Sequence, residues 1–85
     1  MKDINENIVA MKSMSFAVRC VNLARYLREN YQEYDLGSQI LKSGTSIGAN
    51  VREALRGQSR ADFRAKMNIS LREANETQYW LESYL

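Results

Sequence analysis

The sequence contains no histidine and no proline, and Cys20 is its single cysteine. Without histidine, the chain lacks the side chain that most often acts as a general base or binds a transition metal. Without proline, it lacks the residue that most strongly interrupts a helix. One cysteine excludes an internal disulfide, and its apolar neighbours predict a thiol that is buried as a small hydrophobic group. These absences argue against an enzyme and favour long helices.

A long apolar run is also missing, since no stretch approaches the roughly 20 residues that a membrane span requires. The chain begins with MKDINENIVAMK, which mixes acids and bases and has no continuous apolar core of a signal peptide. We therefore predict a cytoplasmic protein without membrane contact. The 85 residues suffice for one domain, residues 1–85. Domains of this size often gain stability by forming oligomers.

Apolar side chains recur every three or four residues along most of the chain, as in helices with a buried face. The pattern predicts three helices at about residues 5–30, 38–56 and 59–84. The predicted core face of the first helix consists of Ala17, Cys20, Ala24, Leu27 and Tyr31. That of the third consists of Phe63, Met67, Ser70, Leu71, Ala74 and Leu81. The short link between the second and third helices predicts an antiparallel helical hairpin.

Residues typical of helix ends occur between these segments. Ser38 is a candidate N-cap of the second helix, and Gly57 is a candidate residue for ending it. Ser59 and Asp62 have the spacing of a capping box, which predicts the start of the third helix.

A glycine-rich stretch in the second helix reads SGTSIGAN and has the composition of a loop. It lacks the lysine and the glycine spacing of a phosphate-binding loop. A continuous helix would instead place Gly44 and Gly48 beside Ile47 and Val51 on one face. Each interior glycine costs about 1 kcal/mol relative to alanine. We therefore predict that these four residues form a packing surface where a neighbouring backbone approaches closely.

Four arginines, Arg52, Arg56, Arg60 and Arg64, recur at every fourth position across the predicted turn between the second and third helices. Residues 42–72 contain seven basic and two acidic residues, a net charge of +5 in a chain of +2. Two interpretations remain open. The arginines either solvate the end of the molecule or bind the phosphates of RNA or DNA.

Three polar residues, Asn50, Glu53 and Glu73, lie next to apolar positions in the helical pattern. Carboxylates in a helical bundle can hold metal ions, but the known di-iron sites need histidines that this chain lacks. We therefore predict a buried hydrogen-bond network formed by these three residues, without a metal or cofactor.

Nearly the whole chain resembles a known family. The segments that carry the likeness are NIVAMKSMSFAVRCVNLARYL, SQILKSGTSIGANVREA and QSRADFRAKMNISLREANETQYWL. They resemble the bacterial four-helix-bundle proteins encoded in intervening sequences of 23S rRNA genes. The resemblance implies an all-α, antiparallel up-and-down bundle that assembles into a ring, typically a homopentamer, with no known enzymatic activity. A related branch comprises the accessory proteins of diversity-generating retroelements, which are basic pentamers that associate with a reverse transcriptase and bind nucleic acid.

One departure from the family pattern concerns its fourth helix, which normally follows the Tyr-Trp-Leu motif. This chain stops at Leu85, so only three of the four helices are expected. The groove for the fourth would then expose apolar side chains to a partner. We predict a non-enzymatic homo-oligomer whose arginine-rich end binds RNA or DNA. The alternative is a structural or partner-docking module, such as a reverse-transcriptase accessory subunit, without nucleic-acid binding.

Overall fold

A computed structural model describes residues 7–84 of the chain. These residues form three helices and no strand: α1 is Ile8–Tyr31, α2 is Asp35–Leu55 and α3 is Arg60–Tyr84. The prediction of an all-helical chain with three helices is thereby confirmed. The predicted start of the first helix near residue 5 lies outside the described residues. Among the residues described, no helix combines the length and apolar character that crossing a bilayer would require.

Helix α2 is the central element and packs against both α1 and α3. Three of its glycines face α1, in the pairs Gly37 with Ala24, Gly44 with Cys20 and Gly48 with Ser13. Two hydrogen bonds join it to α3, in the pairs Ser43 with Thr77 and Ile47 with Ser70. In both interfaces, residue numbers rise along α2 while they fall along the facing helix.

The centre of the core is formed by Cys20, Leu27 and Ile40 from α1 and α2, all of them buried. Partly buried side chains from all three helices surround this cluster: Phe16, Leu23, Leu36, Trp80 and Leu81. Helix α3 therefore reaches the core through its C-terminal half.

Several residues that the helical pattern assigned to the core are exposed. The structure leaves 64% of Tyr31 exposed at the end of α1, and on α3 it leaves 42% of Phe63 and 61% of Leu71 exposed. These three assignments are wrong. On α3 the reason is that α1 and α3 pack mainly on α2 and hardly on each other, so its apolar face borders an open groove. The residues of α3 that are buried are the small polar Ser70 and Thr77.

The helix ends follow the predicted signals only in part. Helix α2 starts at Asp35, so the predicted N-cap Ser38 lies inside it. The Glu33 carboxylate accepts the Leu36 N–H at 2.9 Å, which provides the earlier start with an acceptor for one of its free N–H groups. Gly57 follows the end of α2 but has no positive φ. The predicted contact at α3 is confirmed, because Ser59 Oγ accepts the Asp62 N–H at 3.1 Å.

Cys20 provides a first test of this core. Its side chain is 3% exposed, and burial raises the pKa of the thiol, so the reactive thiolate is disfavoured. We expect iodoacetamide at pH 8 to leave Cys20 unmodified in the folded protein and to alkylate it fully in denaturant, as measured by mass spectrometry. Equal rates of alkylation with and without denaturant would contradict the position of Cys20 between α1 and α2.

Candidate nucleic-acid interface

The four candidate arginines lie around the connection between α2 and α3. Arg52 is in the last turn of α2 and Arg56 is its C-cap. Arg60 is the first residue of α3, and Arg64 follows one turn later. All four side chains are exposed. We call this group the arginine end.

The arginines remain available for an external anion. In residues 7–84 the one salt bridge joins Lys66 Nζ to Glu53 Oε2 at 3.4 Å, and none of the four arginines takes part. Of the two acids in residues 42–72, Glu53 is thus paired with Lys66. The other is Asp62 in the first turn of α3, where its carboxylate interacts favourably with the positive end of the helix dipole.

Guanidinium groups on an exposed end suit the phosphate oxygens of a nucleic-acid backbone, which they bind through paired N–H donors. Such contacts position a backbone and do not read a base sequence. The arrangement can therefore bind anions.

The predicted packing surface on α2 divides between two neighbours. Gly44 and Gly48 are buried against α1. A β-carbon added at Gly44 would overlap Cys20 Sγ and lie 3.0 Å from Cys20 Cβ. Ile47 and Val51, in contrast, border the groove between α1 and α3. The two glycines therefore lie at a helix contact, and the two larger residues form the floor of a groove.

The predicted polar network of Asn50, Glu53 and Glu73 is not what the structure contains. Asn50 donates to the Ser46 carbonyl within its own helix at 2.8 Å, and Glu53 points to solvent beside Lys66. Glu73 is partly buried and contributes its main-chain carbonyl, which lies 2.7 Å from Thr77 Oγ1. The prediction was wrong because a long acidic side chain at a helix margin can extend into water, where its charge is solvated at no cost.

Small hydroxyl side chains form the hydrogen bonds between α2 and α3. Thr77 Oγ1 donates to Ser43 Oγ at 2.8 Å, and Ser43 in turn donates to the Gln39 carbonyl at 2.8 Å. Ser70 Oγ donates to the Ile47 carbonyl at 2.9 Å. Ser70 was predicted as a core residue, but the contact between Ser43 and Thr77 was not predicted. The available signal was their small size at positions that otherwise continue an apolar face.

Two apolar grooves flank α2. The α1–α2 groove has a volume of about 380 Å³ and is lined by Ser13, Met14, Ala17, Val18, Val21, Thr45, Gly48, Ala49 and Arg52. The α1–α3 groove has a volume of about 420 Å³ and is lined by Val9, Lys12, Ser13, Phe16, Ile47, Val51, Met67, Ser70, Leu71 and Ala74. Both are open and lack the cluster of polar groups that a small-molecule site normally contains. Within residues 7–84, no three potential metal ligands of the His, Cys, Asp or Glu type come together.

The chain is similar to known proteins in both sequence and structure. A family model described as 23S rRNA-intervening sequence protein matches residues 5–85. Four chains of solved structures also match. One is a crystal structure at 1.70 Å resolution of a protein of unknown function from the S23 ribosomal protein family of Bacteroides thetaiotaomicron. It is 60% identical, with a TM-score of 0.86 over 88% of this chain and 69% of that chain. No curated protein matches.

Proposed function

Since the chain belongs to the 23S rRNA-intervening sequence protein family, we propose that it is a non-enzymatic, homo-oligomeric protein that binds RNA or DNA through the arginine end. Its three helices form an antiparallel up-and-down bundle, and the protein works in the cytoplasm. The observation that carries the nucleic-acid part of the proposal is the arginine end itself. Four exposed arginines, none of which pairs with a carboxylate among residues 7–84, lie together in the part of the chain with a net charge of +5.

The proposed homo-oligomer rests on the two apolar grooves. Helix α1 exposes about half of Met11, Met14 and Val18, which border the α1–α2 groove or lie directly beside it. Contiguous apolar surface of this kind is typical of a protein interface. A ring, with five subunits as the family resemblance implies, would cover such a surface and bring several arginine ends together. Phosphate binding depends steeply on the number of contacts, so a ring would bind far more tightly than one subunit.

The assembly can be tested with a charge on the surface of α1. We expect Val18→Glu to convert the oligomer to monomer, because a carboxylate within an apolar interface loses its solvation. Size-exclusion chromatography with light scattering measures the mass. The matched control is Asn22→Glu, one turn further along α1 at another exposed site. If Val18→Glu kept the mass of the unmodified oligomer, the α1–α2 groove would not be the interface.

Nucleic-acid binding can be tested by fluorescence anisotropy with generic single-stranded and duplex RNA and DNA. We expect binding at low salt, with an affinity that falls linearly on logarithmic axes as salt rises, because each phosphate contact releases bound counterions. We expect little dependence on base sequence. An absence of binding at low salt would contradict the proposal. It would leave the alternative of a structural or partner-docking module, such as an accessory subunit of a reverse transcriptase.

A further inference from the structure

The end of the molecule opposite the arginine end is rich in exposed tyrosines. Tyr26 and Tyr31 lie at the C-terminal end of α1, Tyr34 immediately precedes α2, and Tyr84 ends α3. Each is at least 41% exposed. The rings of Tyr26 and Tyr31 meet edge to face with centroids 5.8 Å apart. We call these four residues the tyrosine end.

Tyr84 ends α3 at the same end of the molecule as the two tyrosines of α1. The neighbouring Tyr31 raises the pKa of Tyr26, and burial and Tyr84 add smaller contributions in the same direction. The raised pKa keeps the Tyr26 hydroxyl protonated and uncharged at neutral pH. Exposed tyrosines from α1 and α3, and Tyr34 before α2, therefore lie at one end of the molecule.

The core does not explain this surface. At the same end of the molecule, Leu27, Trp80 and Leu81 already take part in the core cluster. Tyr31 and Tyr34 remain 64% and 58% exposed and contribute little to it. Tyrosines that lie together at a surface are enriched in protein interfaces, where each ring offers a large apolar area at a low cost in side-chain entropy.

The charge around the tyrosines has the opposite sign to that of the arginine end. Residues 25–41 and 73–84 together contain six acidic and two basic residues, a net charge of −4. None of these carboxylates forms a salt bridge in the described part of the chain. The negative dipole ends of α1 and α3 lie at this end beside the positive end of α2. The last turn of α1 contains Arg28, but the last turn of α3 contains no basic residue.

We propose that the tyrosine end binds a cationic, arginine-rich segment of a partner protein. Guanidinium planes stack on tyrosine faces, and the surrounding carboxylates attract their charge. A nucleic acid is unsuited to this face because the net negative charge repels phosphates. The arginine end of a second copy has the right charge, but a head-to-tail contact with it would occupy the arginines that the proposed function assigns to nucleic acid. A separate segment is therefore the occupant.

The experiment uses a fluorescent peptide of alternating arginine, glycine and serine, with lysine-containing and glutamate-containing peptides of the same pattern. We expect anisotropy to show binding in the order arginine, then lysine, with none for glutamate. The combined change Tyr31→Leu with Tyr34→Leu keeps apolar area but removes two aromatic faces, and should weaken binding of the arginine peptide about tenfold. The matched control is Phe63→Leu on α3 near the arginine end, with no change expected. Circular dichroism checks that each variant is folded.

Several results would overturn this inference. One is that the wild-type protein fails to bind the arginine peptide at millimolar concentration. Another is that the tyrosine substitutions leave the affinity for this peptide unchanged. The occupant would instead be a second copy if the protein formed filaments that the same substitutions abolished. It would be a nucleic acid if those substitutions abolished binding of RNA. Failure of the proposed function can be told apart from failure of this inference, because Arg56→Glu with Arg60→Glu should weaken nucleic-acid binding and leave peptide binding intact.

Discussion

Replacement of Gly44 by leucine is expected to lower the free energy of unfolding by more than about 3 kcal/mol. A β-carbon at this position would already overlap the Cys20 sulfur, and the larger side chain would have to separate α1 from α2. Small domains are stable by only about 5–15 kcal/mol, so the variant should be largely unfolded or strongly destabilised. Urea denaturation followed by circular dichroism measures the change.

Alanine substitutions at Gly44 and Gly37 provide graded controls. Gly44→Ala should cost about 1–2 kcal/mol, because overpacking exceeds the gain in helix propensity. Gly37→Ala should be neutral or stabilising by up to about 1 kcal/mol. At Gly37 the added carbon would lie 3.4 Å from the Ala24 carbonyl oxygen, which is an ordinary contact. Equal effects at the two positions would show that propensity, and not the approach of α1, governs them.

A double substitution separates the steric cause from other effects. Cys20→Ala removes the sulfur that an alanine at Gly44 would meet, so Gly44→Ala should cost less in that background. A coupling free energy of about 1 kcal/mol is expected between the two sites. If the two costs were additive, the sulfur would not be the obstacle, and the close approach of α1 and α2 at this level would be contradicted.

Reversal of two charges at the arginine end, Arg56→Glu with Arg60→Glu, is expected to weaken binding of RNA or DNA about a hundredfold at low salt. Each lost charge-assisted hydrogen bond to a phosphate contributes about 1.5–3 kcal/mol, and the new carboxylates add repulsion. The logarithmic salt slope should fall by about 2 for each subunit that takes part. Anisotropy titration over a salt series measures both quantities. The mass of the proposed oligomer should not change, because both positions are exposed and away from the two grooves.

The matched control reverses two arginines that lie on α1, away from the arginine end: Arg19→Glu with Arg25→Glu. It changes the net charge by the same amount, and both positions are exposed. We expect a small loss of affinity from net charge alone. If the two double variants lost affinity equally, binding would depend on overall charge and not on the arginine end. If Arg56→Glu with Arg60→Glu changed the mass of the proposed oligomer, these arginines would belong to a subunit interface.

The candidate site could be predicted from the chain only where the relevant spacing is local. The four-residue repeat from Arg52 to Arg64 placed the arginines around one turn, and they are exposed around that connection in the structure. The tyrosine end was not predicted, because Tyr26, Tyr34 and Tyr84 come from three separate segments. The hydroxyl contact between Ser43 and Thr77 was missed for the same reason, since 34 residues separate the two along the chain.

By itself, the sequence determined that the chain is all-helical, that three helices form, and that the glycines of SGTSIGAN lie within a helix. These features depend on interactions within a few residues: the apolar period, the absence of proline and local capping groups. Only the tertiary structure decided which apolar faces are buried. Helices α1 and α3 both pack on α2, so Ile40 is enclosed while Leu71 borders an open groove. Burial depends on which helix faces which, and a helical period specifies only the face that is apolar.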